Sequence, residues 1–197
     1  MEVQAHGNYY EDLKIRELTG LGKKEYDKLK KNGYTSVFDI SKGLHSDVDI
    51  SIKTTGSNSV NSGDIRRMRL HSEYDIIIAQ YDQVGGNKIF HTEYTFHIKP
   101  EHEELLWGTM NYDLLNEFNE YIRGYNGKED RDARKQEREE YKNQIQDKNA
   151  LMKINPKPSQ RRTQCTVHID KLMASGVEYS VKPIRIELPS KPRKFNK

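Results

Sequence analysis

The chain has 197 residues, of which 34% are hydrophobic and 32% are charged, and its net charge is +3. This length fits one domain with elaborations, and the composition supports a modest core under a charged surface while excluding a disordered chain. Cys165 is the single cysteine, which excludes an intramolecular disulfide and favours a reducing compartment.

The charge is unevenly distributed. From Lys153 onward eleven Lys or Arg stand against three acidic residues, a balance of +8, so residues 1–152 carry −5. This asymmetry favours one part that holds metal ions and another that neutralises phosphates, although a solvated basic tail is an equally simple interpretation. The first residues show no basic region followed by an apolar run, and no membrane span is predicted. We therefore expect an intracellular, cytoplasmic protein that is not secreted.

The predicted elements begin with two short helices and continue with strands. The helices cover residues 9–18 and 23–32, with Gly33 as the cap of the second. Their inward faces are predicted to carry Tyr9, Tyr10, Leu13 and Leu18, and then Tyr26 and Leu29. Extended stretches follow at 35–42, 48–54 and 74–81, with a helix at 63–71. The apolar run at 74–80 predicts a central strand buried on both faces.

The second half of the chain predicts further strands and helices. A turn at 85–87 leads into a strand at 88–98, a helix covers 103–125, and short strands cover 164–168 and 179–187. Residues 128–148 carry seven basic and seven acidic residues without an apolar stripe, which predicts an exposed helical arm. We expect a core at 1–127, a charged arm at 128–150 and a basic DNA-contacting segment at 151–197, together one compact unit.

The candidate catalytic residues are concentrated between residues 38 and 53. If residues 43–47 form a turn, two strands fold back on one another and Asp39 lies opposite Ser51. Asp49, Ser51 and Lys53 then share a face, and Asp39 and Lys53 point into the same space. A carboxylate that holds a divalent ion beside an ammonium that polarises water suits phosphodiester hydrolysis. An ordinary hairpin with solvated charges is the alternative.

The residues Asp39 and Ser51-Ile52-Lys53 resemble the PD-(D/E)XK nuclease superfamily, the core of most type II restriction enzymes. The resemblance covers roughly residues 9–98. It implies a mixed α/β fold, with a restriction-endonuclease-like central mixed β-sheet flanked by helices and, in this chain, a basic C-terminal extension. Phe38 stands where the family often has proline, and Ser51 stands where it usually has an acid.

A subgroup of restriction enzymes has Ser or Thr in that place and carries the acid on the following helix. The sequence is similar to this variant, because Asp64 follows Lys53 after a short gap and begins a basic helix. The resemblance implies catalytic and metal-binding roles for Asp39 and Asp64 with Mg²⁺, and Asp49 is the competing second ligand. Arg66 and Arg67 are then placed to meet a phosphate.

The segment at 154–165 is the second candidate interface. Its prolines favour an extended backbone, and its polar side chains can donate to guanine and adenine edges. The predicted DNA-binding residues of this segment are Lys157, Gln160, Arg161, Arg162 and Gln164. A surface loop whose arginines pair with the acidic helix before it is the alternative interpretation.

Two weaker features lie near the start. Residues 18–22 are similar to a helix-hairpin-helix, in which glycine amides grip a phosphate, but a plain helical turn is the preferred interpretation. Glu11 is a possible accessory carboxylate, for which we expect a surface position.

Together these patterns predict a Mg²⁺-dependent type II restriction endonuclease that cleaves double-stranded DNA at a specific site. A homodimer is expected, because palindromic sites match twofold proteins, and a cognate DNA methyltransferase is a possible restriction-modification partner. The alternatives are a structure-specific repair or junction nuclease, and a non-catalytic DNA-binding protein on a nuclease scaffold.

Overall fold

A computed structural model describes residues 5–30 and 37–189. The chain divides into two compact units. The first contains Met1–Val60, Glu73–Ile98 and Val177–Lys197, and the second contains Asn61–Ser72 and Lys99–Gly176. These units interleave along the chain and do not follow the three consecutive segments that we predicted. None of the helices in the described ranges combines the length and apolar character that a membrane crossing requires.

Helices and strands follow one another along both units. In chain order, the described ranges contain α1 (Ala5–Thr19), α2 (Lys23–Leu29), β1 (Ile50–Thr55), β2 (Ser59–Asp64), α3 (Ile65–Arg69), β3 (Tyr74–Val84), β4 (Asn87–Ile98), α4 (Glu103–Trp107), α5 (Tyr112–Arg123), α6 (Gly127–Ala133), α7 (Lys135–Ile145), β5 (Lys153–Lys157), β6 (Arg162–His168), α8 (Ile169–Met173) and β7 (Tyr179–Pro189).

The first unit is built on a mixed sheet with strand order β1-β3-β4-β7. β1 runs parallel to β3, and the β3–β4 and β4–β7 pairs are antiparallel. The predicted central strand is confirmed as β3, in which Ile76–Ala79 are all buried. A mixed α/β architecture with a mixed sheet and flanking helices is thus confirmed.

Helices α1 and α2 pack on this sheet through fewer residues than predicted. Tyr10, Ile15 and Tyr26 are completely buried and join Ile50, Ile52, Ile77 and Phe90 in one apolar core. Tyr9, Leu18 and Leu29, which were predicted to face inward, are largely exposed. The assignment of the inner faces was wrong there, because the helix turns Tyr10 and Ile15 toward the sheet and their neighbours away. Gly33 and the first two residues of the predicted strand at 35–42 lie outside the described residues. The remaining residues, 37–42, form bends and a turn instead of a strand, and only Ile40 makes an isolated bridge, to Ile50.

The second unit contains a smaller sheet with strand order β2-β6-β5. Its helix α5 buries Leu115, Phe118 and Ile122 along one face. The single helix predicted at 103–125 is divided into α4 and α5. Gly108 adopts a positive φ of 53° at the end of α4, and the Asn111 side chain accepts from an amide at the start of α5. The charged arm is likewise divided into α6 and α7.

Candidate active site

The candidate site begins at the turn that brings Asp39 back to β1. An antiparallel bridge joins Ile40 to Ile50, and the Asp39 amide donates to the Ile50 carbonyl at 2.9 Å. In this register Asp39 lies opposite Ser51, as the sequence predicted. The reversal is closed by the Gly43 amide, which donates to the Ser46 carbonyl.

The Asp39 carboxylate is held at the outer edge of β1. Its Oδ2 accepts from the Ile52 backbone amide at 2.6 Å and lies 3.4 Å from Lys53 Nζ. β1 is the last strand on this side of the sheet, so an aspartate side chain takes the place that a neighbouring strand would otherwise fill. The predicted proximity of Asp39 and Lys53 is confirmed, and their catalytic roles stay predictions.

The structure adds Glu11 to this pair. Glu11 lies on α1, its side chain is only 17% exposed, and its carboxylate pairs with the Lys23 ammonium. It also hydrogen-bonds the Asp39 carboxyl group. The expected surface position of Glu11 was therefore wrong: α1 turns this residue toward the end of the Asp39 turn.

The electrostatics of the two carboxyl groups differ. Burial, followed by the charge of Asp39, raises the pKa of Glu11 to about 7 against the opposing effect of Lys23. Burial also acts to raise the pKa of Asp39, but the Lys53 ammonium, the Ile52 amide and the Glu11 hydrogen bond outweigh it and keep that pKa below its ordinary value. Asp39 is thus the carboxylate and Glu11 the proton donor when the pair shares a proton.

The start of α2 supplies the remaining cation. The Lys23 amide donates to Asp12 Oδ1 at 2.7 Å, and the Gly22 amide donates to Glu25 Oε2 at 3.0 Å. Carboxylates of the chain itself thus occupy the amides that a helix-hairpin-helix would offer to a phosphate. This agrees with the preferred interpretation of residues 18–22 as a helical turn.

The other predicted acids have local partners. Asp49 Oδ1 accepts from the Lys42 amide at 2.9 Å and so fastens the turn. Asp64 belongs to the second unit, where its carboxylate caps α3 by accepting from the amides of Arg66 and Arg67. The carboxylate that the structure brings against Asp39 is that of Glu11. A metal-binding role for Asp49 or Asp64 stays a prediction.

Ser51 occupies the position where an acid was expected. Its side chain is buried, with 1% exposed, and within the described residues its hydroxyl has no hydrogen-bond partner. A carboxylate at this position would lose almost all of its hydration, which is costly unless a cation pairs with it. Burial thus gives a physical reason for serine at this position.

The predicted DNA-binding segment forms the β5–β6 hairpin of the second unit, with a short 3₁₀ turn over Pro158–Gln160 at its tip. Arg161 adopts a φ of 49°, and its Nε donates to the Arg123 carbonyl at 2.8 Å. Arg162 Nε donates to Gln160 Oε1 at 2.8 Å. The side chains of Gln160, Arg161 and Arg162 are exposed at the hairpin tip, and that of Lys157 beside them is half-buried.

Two other predicted DNA contacts are used inside the second unit. Gln164 is 8% exposed and accepts from Asn61 Nδ2 at 2.6 Å, so it packs inside the second unit, and its contact with DNA stays a prediction. Arg66 pairs with Asp64 and Glu120 on its own unit. Arg67 is exposed on α3.

The donor chemistry near Asp39 suits a hard divalent cation. Among the described residues no three His, Cys, Asp or Glu side chains are grouped closely enough to hold a metal ion. Two carboxylates do meet, and the Ile52 carbonyl is expected on the same outer edge as its amide, since both groups of a strand residue face the same side. Mg²⁺ is commonly held by one or two carboxylates and completed by water and substrate phosphate, so these residues fit it.

Comparisons with family models, curated proteins and solved structures gave no match for this chain. Its function is therefore inferred from the geometry around Asp39.

Proposed function

We propose that the chain is a metal-dependent nuclease that hydrolyses phosphodiester bonds in double-stranded DNA. The observation that carries this proposal is the meeting of Asp39, Glu11 and Lys53 at the outer edge of β1. Two carboxylates and one ammonium at an open strand edge combine the groups that bind a cation with a group that orients water.

Each residue has a distinct role in the proposed chemistry. Asp39 and Glu11 hold Mg²⁺, which when bound supplies positive charge to the reacting phosphate. The Ile52 amide fixes the Asp39 carboxylate in one orientation. Lys53 orients the attacking water and offsets negative charge that develops on the phosphate oxygens. Glu11 gives up its proton when both carboxylates face a cation.

The finer proposal is a type II restriction endonuclease with a PD-(D/E)XK core that acts as a homodimer on a specific site. Its support is the Asp39…Ser51-Ile52-Lys53 spacing, the mixed sheet on which these residues lie, and the exposed arginines at the β5–β6 tip. Glu11 replaces the acid that is missing at Ser51. A non-catalytic DNA-binding protein is the second candidate, which the buried, uncharged Ser51 favours.

A cleavage assay separates these functions. Supercoiled plasmid and branched DNA are incubated with Mg²⁺ or with EDTA, using the wild type, Lys53→Ala and Lys42→Ala. Lys42 is the matched control, because it is exposed in the same unit and pairs with Glu73 on the surface. Discrete plasmid fragments that vanish in EDTA and with Lys53→Ala support the restriction enzyme. Cuts only at branches indicate a junction nuclease, and binding without cleavage indicates the non-catalytic protein.

A second comparison tests which acid joins Asp39. Glu11→Gln should abolish cleavage while leaving DNA binding intact. Asp64→Asn keeps the side-chain oxygen that caps α3, and asparagine caps helices about as well as aspartate, so this variant should retain both stability and cleavage. If Asp64→Asn is folded and inactive while Glu11→Gln cleaves normally, the acid is on α3 and the assignment of Glu11 is wrong.

A further inference from the structure

Lys23 is a charged group of the site that the sequence did not single out. It is the first residue of α2, and two residues of α1 fix it. Asp12 accepts from its backbone amide at 2.7 Å, and Glu11 pairs with its ammonium. Both side chains of the Lys23–Glu11 pair are largely buried, with 29% and 17% exposed. A contact with two anchors is more ordered than an ordinary surface ion pair.

The four charges of the site form a chain. The Lys23 ammonium contacts Glu11, Glu11 hydrogen-bonds Asp39, and Asp39 contacts Lys53. With both carboxylates ionised the two ammonium groups balance them, so the metal-free site has no net charge. A divalent cation added to this group gives an excess of two positive charges, which opposes metal binding until an anionic phosphate enters.

We propose that Lys23 is an internal counter-ion that holds Glu11 in the metal-free protein and must leave it when a divalent cation binds. This inference rests on the metal site of the proposed function. Lys23 lowers the metal affinity of the free protein, because its ammonium occupies the Glu11 carboxylate that the cation needs. Once displaced, the ammonium is available to a phosphate oxygen of the DNA. Metal and substrate then bind more tightly together than either binds alone.

The test is a Mn²⁺ titration of the protein without DNA, in which free Mn²⁺ is measured by electron paramagnetic resonance. Lys23→Gln keeps a hydrogen-bond donor toward Glu11 and removes the positive charge. It should bind Mn²⁺ at least about tenfold more tightly than the wild type, because a repelling charge within a few ångströms is gone. Lys24→Gln is the matched control, since Lys24 is the exposed neighbour on the same turn, and its affinity should equal that of the wild type.

A measurement on the unmodified chain covers the case in which Lys23→Gln does not fold. The ammonium signals of Lys23 and Lys24 are followed by nuclear magnetic resonance during a Mg²⁺ titration. The Lys23 signal should shift as Mg²⁺ binds, and the Lys24 signal should stay in place.

Three results would overturn the proposal. The first is an equal Mn²⁺ affinity of Lys23→Gln and Lys24→Gln. The second is that neither variant binds Mn²⁺. The third is a Lys23 ammonium signal that does not shift when Mg²⁺ is added. Failure of the nuclease proposal is distinguishable, since it would appear as intact DNA in the cleavage assay whatever the titration gives.

Discussion

Replacing Lys14 on α1 should destabilise the protein far more than replacing an exposed cation on the same helix. Lys14 Nζ lies 3.0 Å from the Glu93 carboxylate of β4, and the two side chains are 4% and 8% exposed. The Tyr10 hydroxyl also donates to the Glu93 carboxylate. This buried group fastens α1, and with it Glu11, to the sheet.

The magnitude follows from the distance and the burial. Two unit charges at 3.0 Å attract by roughly 5–6 kcal/mol at an effective dielectric constant of about 20, before desolvation is subtracted. Lys14→Met leaves the Glu93 carboxylate buried without its cation, which costs about 3–5 kcal/mol of unfolding free energy. The double change Lys14→Met with Glu93→Gln removes both charges and keeps an acceptor for Tyr10. It should recover about 2–3 kcal/mol of that loss.

Urea unfolding of these variants measures both values. Arg16→Met is the control, because Arg16 makes a surface pair with Asp12 at 2.9 Å and its side chain is 63% exposed. An exposed pair of this kind contributes little to stability. A loss for Lys14→Met no greater than that for Arg16→Met, or an additive double change, would refute the role given to this buried pair.

Three further changes test other parts of the chain. Gly108→Ala should lower the free energy of unfolding in urea by more than about 2 kcal/mol, because the φ of Gly108 is 53° and an added Cβ would lie 2.1 Å from Asp147 Oδ2. Gly86→Ala is the control and should change this free energy little, since a Cβ at Gly86 meets open space. Arg162→Ala should weaken specific DNA binding by about 1–3 kcal/mol in a fluorescence titration, and an equal loss on random DNA would show a phosphate contact instead. Gln164→Ala should lower the unfolding free energy rather than DNA specificity, and a selective loss of specificity would contradict its assignment as a packing residue.

Local patterns in the sequence predicted much of the sheet. The apolar run of β3 and the turn before β4 are set by neighbouring residues, so both were confirmed. The turn between Asp39 and Ile50 was predicted for the same reason. β2 and α8 were missed, and β5 was predicted only as part of an extended segment, because their sequences carry weak periodicity and their ordering depends on packing in the second unit.

The candidate site was predicted only in part. Asp39 and Lys53 lie fourteen positions apart across one turn, a distance that strand alternation can bridge. Glu11 and Lys23 come from two helices whose orientation depends on how Tyr10 and the rest of α1 meet the sheet. No pattern within either helix encodes that orientation. The sequence therefore suggested an accessory acid at Glu11 but not its buried position, and it carried no signal for Lys23.

The central claim is that Asp39, Glu11 and Lys53 together hydrolyse DNA with Mg²⁺. Single-turnover cleavage of plasmid DNA by Asp39→Asn, Glu11→Gln and Lys53→Met, each beside Lys42→Ala, tests it most directly. Each of the first three variants should lose at least about 100-fold in rate while circular dichroism and DNA binding match the control. Mg²⁺-dependent cleavage at the wild-type rate by all three would contradict the claim.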